Sequence, residues 1–225
     1  MNKKVYGILP LAGKASRMMN IPKFLLPCEI NKTLLSHAID IYKNNGVNDI
    51  IAGVSEDNNY LLRNESLLNR NVLCTKTMAE TVHKLVNIVD EKDNLNILIM
   101  PDTYFVLKDE LQNMIKKLNI YDVVVILWKI KDYQIGKVGQ CDVVNEEIID
   151  IVDKDFNCEY EYLWGCIGWN SNMNKHINPN WETIGNIISE SINLNIKVGA
   201  IISSGDYYDC GTFEEYFKMI KNNIK

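Results

Sequence analysis

Val5-Tyr6-Gly7-Ile8-Leu9-Pro10-Leu11-Ala12-Gly13-Lys14-Ala15-Ser16-Arg17 is the stretch whose reading decides the fold. Val5 to Leu9 is short and apolar and reads as a buried strand. A loop of small residues and cations, Leu11 to Arg17, follows it directly. In an open α/β sheet, ligands bind in the crevice beyond the carboxyl ends of the strands. Small residues there let backbone N–H groups approach phosphate oxygens, and Lys14 and Arg17 add positive charge. Pro22 then fixes the backbone in front of a third cation, Lys23. Two common phosphate motifs do not fit. A P-loop lacks its upstream glycine, and the dinucleotide fingerprint fails because Ala15 stands at its second glycine. Spacing alone leaves both a phosphate-binding loop and a plain glycine turn open.

Outward from this stretch, short apolar runs alternate with helical patterns. Leu34, Leu35, Ala38, Ile39 and Tyr42 keep helical spacing up to a stop at Asn45-Gly46. Asp49 to Val54 predicts a second strand. Met78, Val82, Leu85, Val86 and Val89 form one helix face, and Asn96 to Met100 a third strand. Leu107, Leu111, Met114, Ile115 and Leu118 form another helix face. Val123 to Trp128 is apolar on both faces, as a central strand should be. Later, Cys141–Val144 and Ile148–Val152 read as a hairpin turning near Asn145-Glu146. Ile184, Ile187, Ile188 and Ser191 suggest a late helix, and Lys197 to Ile202 a strand. Thr212 with Glu215 forms a capping box for a last helix, with Phe213, Tyr216, Phe217 and Ile220 as its buried face. This alternation predicts a single-domain α/β fold: a Rossmann-like, mixed and mostly parallel sheet flanked by helices. The expected parts are a nucleotide-binding portion over about 1–130, an acceptor-binding portion over about 131–211 and a terminal helix over 212–225.

The chain has 225 residues, which suits one sizeable core. Hydrophobic residues make up 47% and charged residues 24%, ordinary for a soluble globular protein. The formal net charge of -5 argues against a general nucleic-acid binder, because phosphate contacts need clustered Lys and Arg. An anionic substrate must be held by local cations against a repulsive background. None of the six cysteines lies in a CxxC pair, and their spacing does not match a zinc site. They read as reduced thiols of a cytoplasmic protein. Val5 to Ala12 is too short and too broken by Gly7 and Pro10 for a signal peptide, and no run approaches the length of a membrane helix.

Leu11-Ala12-Gly13-Lys14-Ala15-Ser16-Arg17 and Pro22-Lys23-Phe24-Leu25-Leu26-Pro27 together resemble the signature of the sugar-phosphate nucleotidyltransferases. That family's loop ends in G-x-G-[TS]-R and is followed by P-K-x-L-x-P, and its fold is GT-A-like. Four further stretches match in order: Asn96 to Asp102, Ile151 to Lys154, Leu163-Trp164-Gly165 and Asp209-Cys210-Gly211-Thr212. The resemblance implies that Arg17 and Lys23 hold the triphosphate and stabilise charge on its α-phosphate. It places Leu11, Ala12, Gly13, Lys14, Ala15, Ser16, Thr77, Met78 and Pro101 on the nucleotide. Gly139, Asp153, Lys154, Trp164 and Gly165 would line the acceptor side. Asp102 and Asp209 would hold Mg²⁺, which prefers oxygen ligands and keeps waters that phosphates can replace. The implied reaction couples a nucleoside triphosphate to a sugar 1-phosphate, giving a nucleotide-sugar and pyrophosphate. A homo-oligomer is compatible with this reading, and no membrane or nucleic-acid partner is expected. The chain ends soon after its last helix, so the left-handed β-helix domain of bifunctional relatives is not expected.

Some positions depart from the family. Ala15 and Thr77 stand where it usually has glycine, and Thr77 with Glu80 also reads as a helix N-cap. Asp153 replaces a glutamate and is one methylene shorter. Trp164 either stacks on a sugar or fills the core. Three alternatives remain at this stage. A cytidylyltransferase acting on a phosphocholine-like acceptor would need an aromatic box, for which Trp164, Tyr160 and Tyr162 are candidates. A glycosyltransferase is disfavoured because Asp102-Thr103-Tyr104 lacks the second acid of a D-x-D motif. A non-catalytic regulator has no reason to keep Arg17, Lys23, Asp102 and Asp209 together.

Overall fold

The structure is a computed structural model and describes residues 3–13, 18–47, 49–62, 68–89 and 92–223. The opening stretch forms β1 (Val5–Leu11). A small ribbon follows, β2 (Pro27–Glu29) with β3 (Lys32–Thr33), leading into α1 (Leu34–Asn44). Thr33 caps α1 reciprocally with Ser36: Ser36 N–H donates to Thr33 Oγ1 at 3.2 Å and Thr33 N–H to Ser36 Oγ at 2.8 Å. Gly46 ends it at φ +79°, a conformation that favours glycine. Then come β4 (Asp49–Val54), α2 (Glu56–Leu61), β5 (Leu68–Val72), α3 (Met78–Val89), β6 (Leu95–Ile99) and β7 (Thr103–Phe105). The rest of the chain supplies α4 (Glu110–Lys117), β8 (Val123–Lys129), β9 (Gly139–Val144), β10 (Glu147–Asp153) and β11 (Tyr162–Asn170). It closes with α5 (Asn186–Asn193), β12 (Val198–Ser203), β13 (Tyr207–Asp209) and α6 (Phe213–Asn223).

Nine strands make one sheet in the order β5-β4-β1-β6-β11-β8-β12-β10-β9. All run the same way except β10 and β11, so the sheet is mixed and mostly parallel, as the alternation predicts. The sheet also bends until Tyr162 and Leu163 of β11 pair with Cys141 and Gln140 of β9. The β9–β10 hairpin turns through Asn145 and Glu146, both at positive φ (51° and 63°). Two left-handed residues match the twist of a tight hairpin. Lys117 Nζ holds the Glu146 carboxylate at 2.9 Å.

Alternation along the strands feeds two cores. Val124, Ile126 and Trp128 of β8 join Leu9 and Leu11 of β1 under α1 and α4. Val123, Val125 and Leu127 join Tyr6 and Ile8 under α3 and α5. A third cluster, Cys28, Leu34, Tyr104, Tyr208, Cys210, Tyr216 and Met219, packs α6 against the β7–β13 ribbon. Here the sequence pattern misleads in part. Phe217 is 61% exposed, while Met219 is fully buried, because α6 rests on a narrow ribbon that covers only one turn-to-turn stripe. Leu107 likewise lies before α4 rather than on it.

The main crevice opens between β1 and β6. Chain from β1 passes through α1 on one face, and chain from β6 is reached through α3 on the other, so this is the topological switch point of the sheet. The β1–β6 register ends at Ile8 and Leu98. Just there the buried Tyr42 hydroxyl sits between the strands, within reach of the carbonyls of Ile97 (2.8 Å) and Ile8 (3.1 Å), and accepts Ile99 N–H (2.9 Å). A Cβ on Gly7 would come within 3.0 Å of the Tyr42 ring, so glycine makes room for this plug.

Candidate active site

Three chain segments meet beyond the carboxyl ends of β1 and β6. The first is the end of β1, Leu11, Ala12 and Gly13, anchored by the side chain of Asn58, which donates to the Leu11 carbonyl. Lys14, Ala15, Ser16 and Arg17 lie outside the described residues. The second is a 3-10 turn, Lys23–Leu25, entered from Pro22 at φ -61°. The third is Met100-Pro101-Asp102, leaving β6 and entering β7.

β13 brings Asp209 to the same place. It pairs antiparallel with β7, setting Asp209 opposite Thr103, and Cys210 N–H donates to the Asp102 carbonyl at 3.0 Å. Asp209 Oδ1 accepts Gly211 N–H at 2.9 Å. A Cβ on Gly211 would lie 2.9 Å from that oxygen, which accounts for the glycine in Asp209-Cys210-Gly211-Thr212. Thr212 then caps α6, with Glu215 N–H donating to Thr212 Oγ1 and the two side chains 3.2 Å apart. Asp102 and Asp209, 107 positions apart in sequence by their numbering, are thus joined by a backbone ladder.

Charge is concentrated here. Lys23 Nζ lies 3.1 Å from Asp102 Oδ2. Desolvation, the Asp102 carboxylate and then Glu215 push the Asp209 carboxyl up from 3.8 to about 7, with Lys23 and the Gly211 N–H opposing. Among the described residues no set of three or more His, Cys, Asp and Glu forms a complete metal cage. Two carboxylates with room for waters and phosphates nevertheless suit Mg²⁺, which is often held by one or two carboxylates plus substrate phosphates.

A cavity of about 580 Å³ adjoins these groups. Of the residues expected on the nucleotide, Leu11, Ala12, Gly13, Thr77, Met78 and Pro101 line it, together with Lys23 and Asp102. Phe24, Cys74, Thr75, Lys76, Thr81 and Met100 line it too and were not anticipated. Phe24 and Met100 lie inside the recognised motifs and the others around Thr77 and Met78, and only the fold shows which side chains turn inward. Thr77 serves as a cap as well: its Oγ1 accepts Glu80 N–H (3.1 Å) and lies 3.3 Å from the Pro179 carbonyl. The Glu80 carboxylate reaches beyond Thr77 to Lys76 N–H at 2.8 Å, so the box is offset by one residue.

A second, smaller cavity of about 180 Å³ is lined by Ile151, Asp153, Trp164, Thr183, Gly185, Asn186 and Ser189. Trp164 is partly buried, with its indole so close over Gly139 and Gly185 that a Cβ on either would come within 3 Å of it. Lys154, at φ 54°, is exposed and pairs with Asp153 at 3.3 Å. Gly165 does not line this cavity. It lies under Tyr207 and Trp128, where a Cβ would approach their rings to 2.4 and 2.7 Å. The aromatic box is not assembled: Trp164 is the one aromatic among the residues lining the cavity, and the Tyr160 hydroxyl bonds the Asp150 carboxylate instead. A larger open depression, about 760 Å³, lies around Lys3, Asn170 and Lys175, at the amino ends of β6 and β8, away from the carboxylates.

The switch-point crevice is flanked by the β7–β13 ribbon, with Asp102 just before β7 and Asp209 at the end of β13. The chain has the fold of the sugar-phosphate nucleotidyltransferases that its motifs resemble. A protein assigned as a glucose-1-phosphate thymidylyltransferase from Bacillus anthracis, in complex with sucrose, superposes with a TM-score of 0.82 over 97% of this chain and 94% of its own, at 18% identity. The UTP-bound UGPase from Acinetobacter baumannii gives 0.77 over 99% and 93%, at 16% identity. A UDP-glucose pyrophosphorylase complexed with UDP-glucose gives 0.78 over 99% and 98%, at 17% identity. No protein-family model and no curated protein sequence matches the chain, so the likeness is one of structure.

Proposed function

We propose that this protein is an Mg²⁺-dependent nucleotidyltransferase that joins the nucleoside monophosphate part of a nucleoside triphosphate to a sugar 1-phosphate. The observation that carries the reading is the convergence of Lys23, Asp102 and Asp209, the first two lining a cavity of about 580 Å³, with a second cavity at Asp153 and Trp164. The structural neighbours bear nucleotidyltransferase names and, in two cases, UTP or UDP-glucose, which supports the same class of reaction.

In this reading an acceptor phosphate oxygen attacks the α-phosphorus in line. The bond from that phosphorus to the bridging oxygen breaks, and the electron pair leaves with pyrophosphate. No protein nucleophile takes part. Transfer of this kind depends on positioning and on cations around the transferring phosphorus. Leu11, Ala12 and Gly13 line the cavity that takes the phosphates, while Lys23, with Arg17 as the resemblance implies, stabilises charge building on the α-phosphate. Asp102 and Asp209 would hold Mg²⁺, which would supply positive charge against the phosphates. Thr77 and Met78 flank the nucleoside. Asp153 accepts from acceptor hydroxyls, Lys154 pairs with the acceptor phosphate and Trp164 forms the floor. A cavity with one aromatic, one carboxylate and several small polar groups favours a polyhydroxyl acceptor over a quaternary amine. We further propose a cytoplasmic location.

The test is a pyrophosphate-release screen of each nucleoside triphosphate against a panel of sugar phosphates and phosphorylated amino alcohols, with Mg²⁺. Release with one pair identifies both substrates. Absence of release from every pair would sink the transfer reading, and turnover with phosphocholine alone would replace the sugar.

A further inference from the structure

Lys23 is anticipated as a phosphate-binding cation, and its ammonium already has a partner within the chain. It lies 3.1 Å from Asp102 Oδ2. The two side chains are only 12% and 24% exposed, so the pair is largely withdrawn from water and from salt screening. The backbone that presents Lys23 is fixed by Leu25 N–H to the Pro22 carbonyl (3.0 Å), Leu26 N–H to the Lys23 carbonyl (2.9 Å) and Leu34 N–H to the Leu26 carbonyl (3.0 Å). Asp102 is equally fixed, because its own carbonyl accepts from Cys210 at the start of the Asp209 turn.

We propose that Lys23 guards the carboxylate pair, so that it excludes a free divalent cation and admits one only together with a triphosphate. The proposal rests on the metal-dependent reading above. A cation arriving alone meets an ammonium already bonded to one of its two ligands and must displace it or sit beside it. The three groups together carry at most one net negative charge, too little to hold a hydrated Mg²⁺ firmly. A triphosphate changes both terms. Its oxygens draw Lys23 off Asp102, and they complete the oxygen shell that two carboxylates leave unfinished. The substrate is therefore the cation–triphosphate chelate, and the ion pair keeps the site from being occupied without it.

The guard is tested by titrating the metal-free protein with Mn²⁺ alone and following free Mn²⁺ by electron paramagnetic resonance. Lys23→Met keeps the length and packing of the stem and removes the charge. It should bind Mn²⁺ at least about tenfold more tightly than the natural protein, since a like charge within a few ångströms is lost. Lys23→Gln provides a second neutral side chain in case the first does not fold, and Lys23→Arg should stay as weak as the natural protein. Adding Asp209→Asn to either neutral variant should abolish the gain. Affinity unchanged or weakened in both neutral variants overturns the guard. Pyrophosphate release without that gain would remove the guard and leave the transfer reading intact. A gain in Mn²⁺ affinity with no release from any substrate pair would do the reverse.

Discussion

Replacing Asp209 by Asn should stabilise the metal-free protein at alkaline pH while disabling it. The Asp209 carboxyl has a folded pKa of about 7 against an ordinary 3.8, driven first by desolvation and next by Asp102. A raised folded pKa means that the protonated form is favoured on folding. Its contribution to stability is complete below about 3.8 and is lost as pH rises through about 7. A difference of about 3 units corresponds to roughly 4 kcal/mol at about 1.4 kcal/mol per unit. That is an upper bound, because Asp102, Lys23 and Glu215 readjust around the charge, and a gain of about 1–3 kcal/mol is expected for Asp209→Asn at pH 8. For a chain of this size that is a rise of roughly 3–9 °C in Tm. The asparagine Oδ1 can still accept the Gly211 N–H, so the turn is kept. Thermal melts in chelator at pH 4 and pH 8 give the answer. The natural protein should lose stability relative to the variant across that interval, and Mg²⁺ with the cognate triphosphate should restore the natural protein far more than the variant. Parallel pH profiles for the two proteins would refute the reasoning, because they would mean that Asp209 ionises in the fold as easily as in the unfolded chain.

Three further outcomes follow from the same geometry. Arg17→Ala, Lys23→Ala and Asp102→Asn should each lower turnover by at least roughly 10²-fold in the pyrophosphate assay, as lost electrostatic groups do elsewhere; near-normal turnover of Asp102→Asn contradicts its metal role. Tyr42→Phe leaves the Ile99 N–H without its hydroxyl acceptor and removes a donor from between Ile8 and Ile97, and should cost about 1–3 kcal/mol in urea denaturation. Thr77→Ala removes the cap of α3 and should cost about 1 kcal/mol. If Thr77 also touches the nucleoside, the same variant raises KM for the triphosphate and leaves that for the acceptor unchanged.

Most of the strand and helix pattern was legible because it depends on local rules. Val123 to Trp128 is apolar on both faces and became the strand between β11 and β12. Asn145-Glu146 marked the β9–β10 hairpin, and Thr212 with Glu215 marked the start of α6. The β7–β13 ribbon was not legible. Each of its strands is three residues long, too short for a period, and they pair only because the chain returns from β12 to the end of β6. The exposure of Phe217 escaped for a related reason. Helical spacing says which residues share a face, not how wide a surface awaits that face.

The site divides along the same line. The motifs around Lys23, Asp102, Asp209 and Asp153 supplied donors and cations by chemical type, and by resemblance the roles expected of them, because chemical type is a property of single residues and near neighbours in sequence. The sequence by itself thus determined the strand–loop–strand order and the chemical inventory of the crevice. Tertiary structure alone decided that Asp102 and Asp209 share one desolvated corner, that Lys23 rests on Asp102, that Gly165 lies beneath Trp128 and Tyr207, and that Thr183, Gly185 and Asn186 face Trp164. Those facts depend on contacts between residues far apart in the chain, where burial and Coulomb interaction fall off with distance in space and not with separation in sequence.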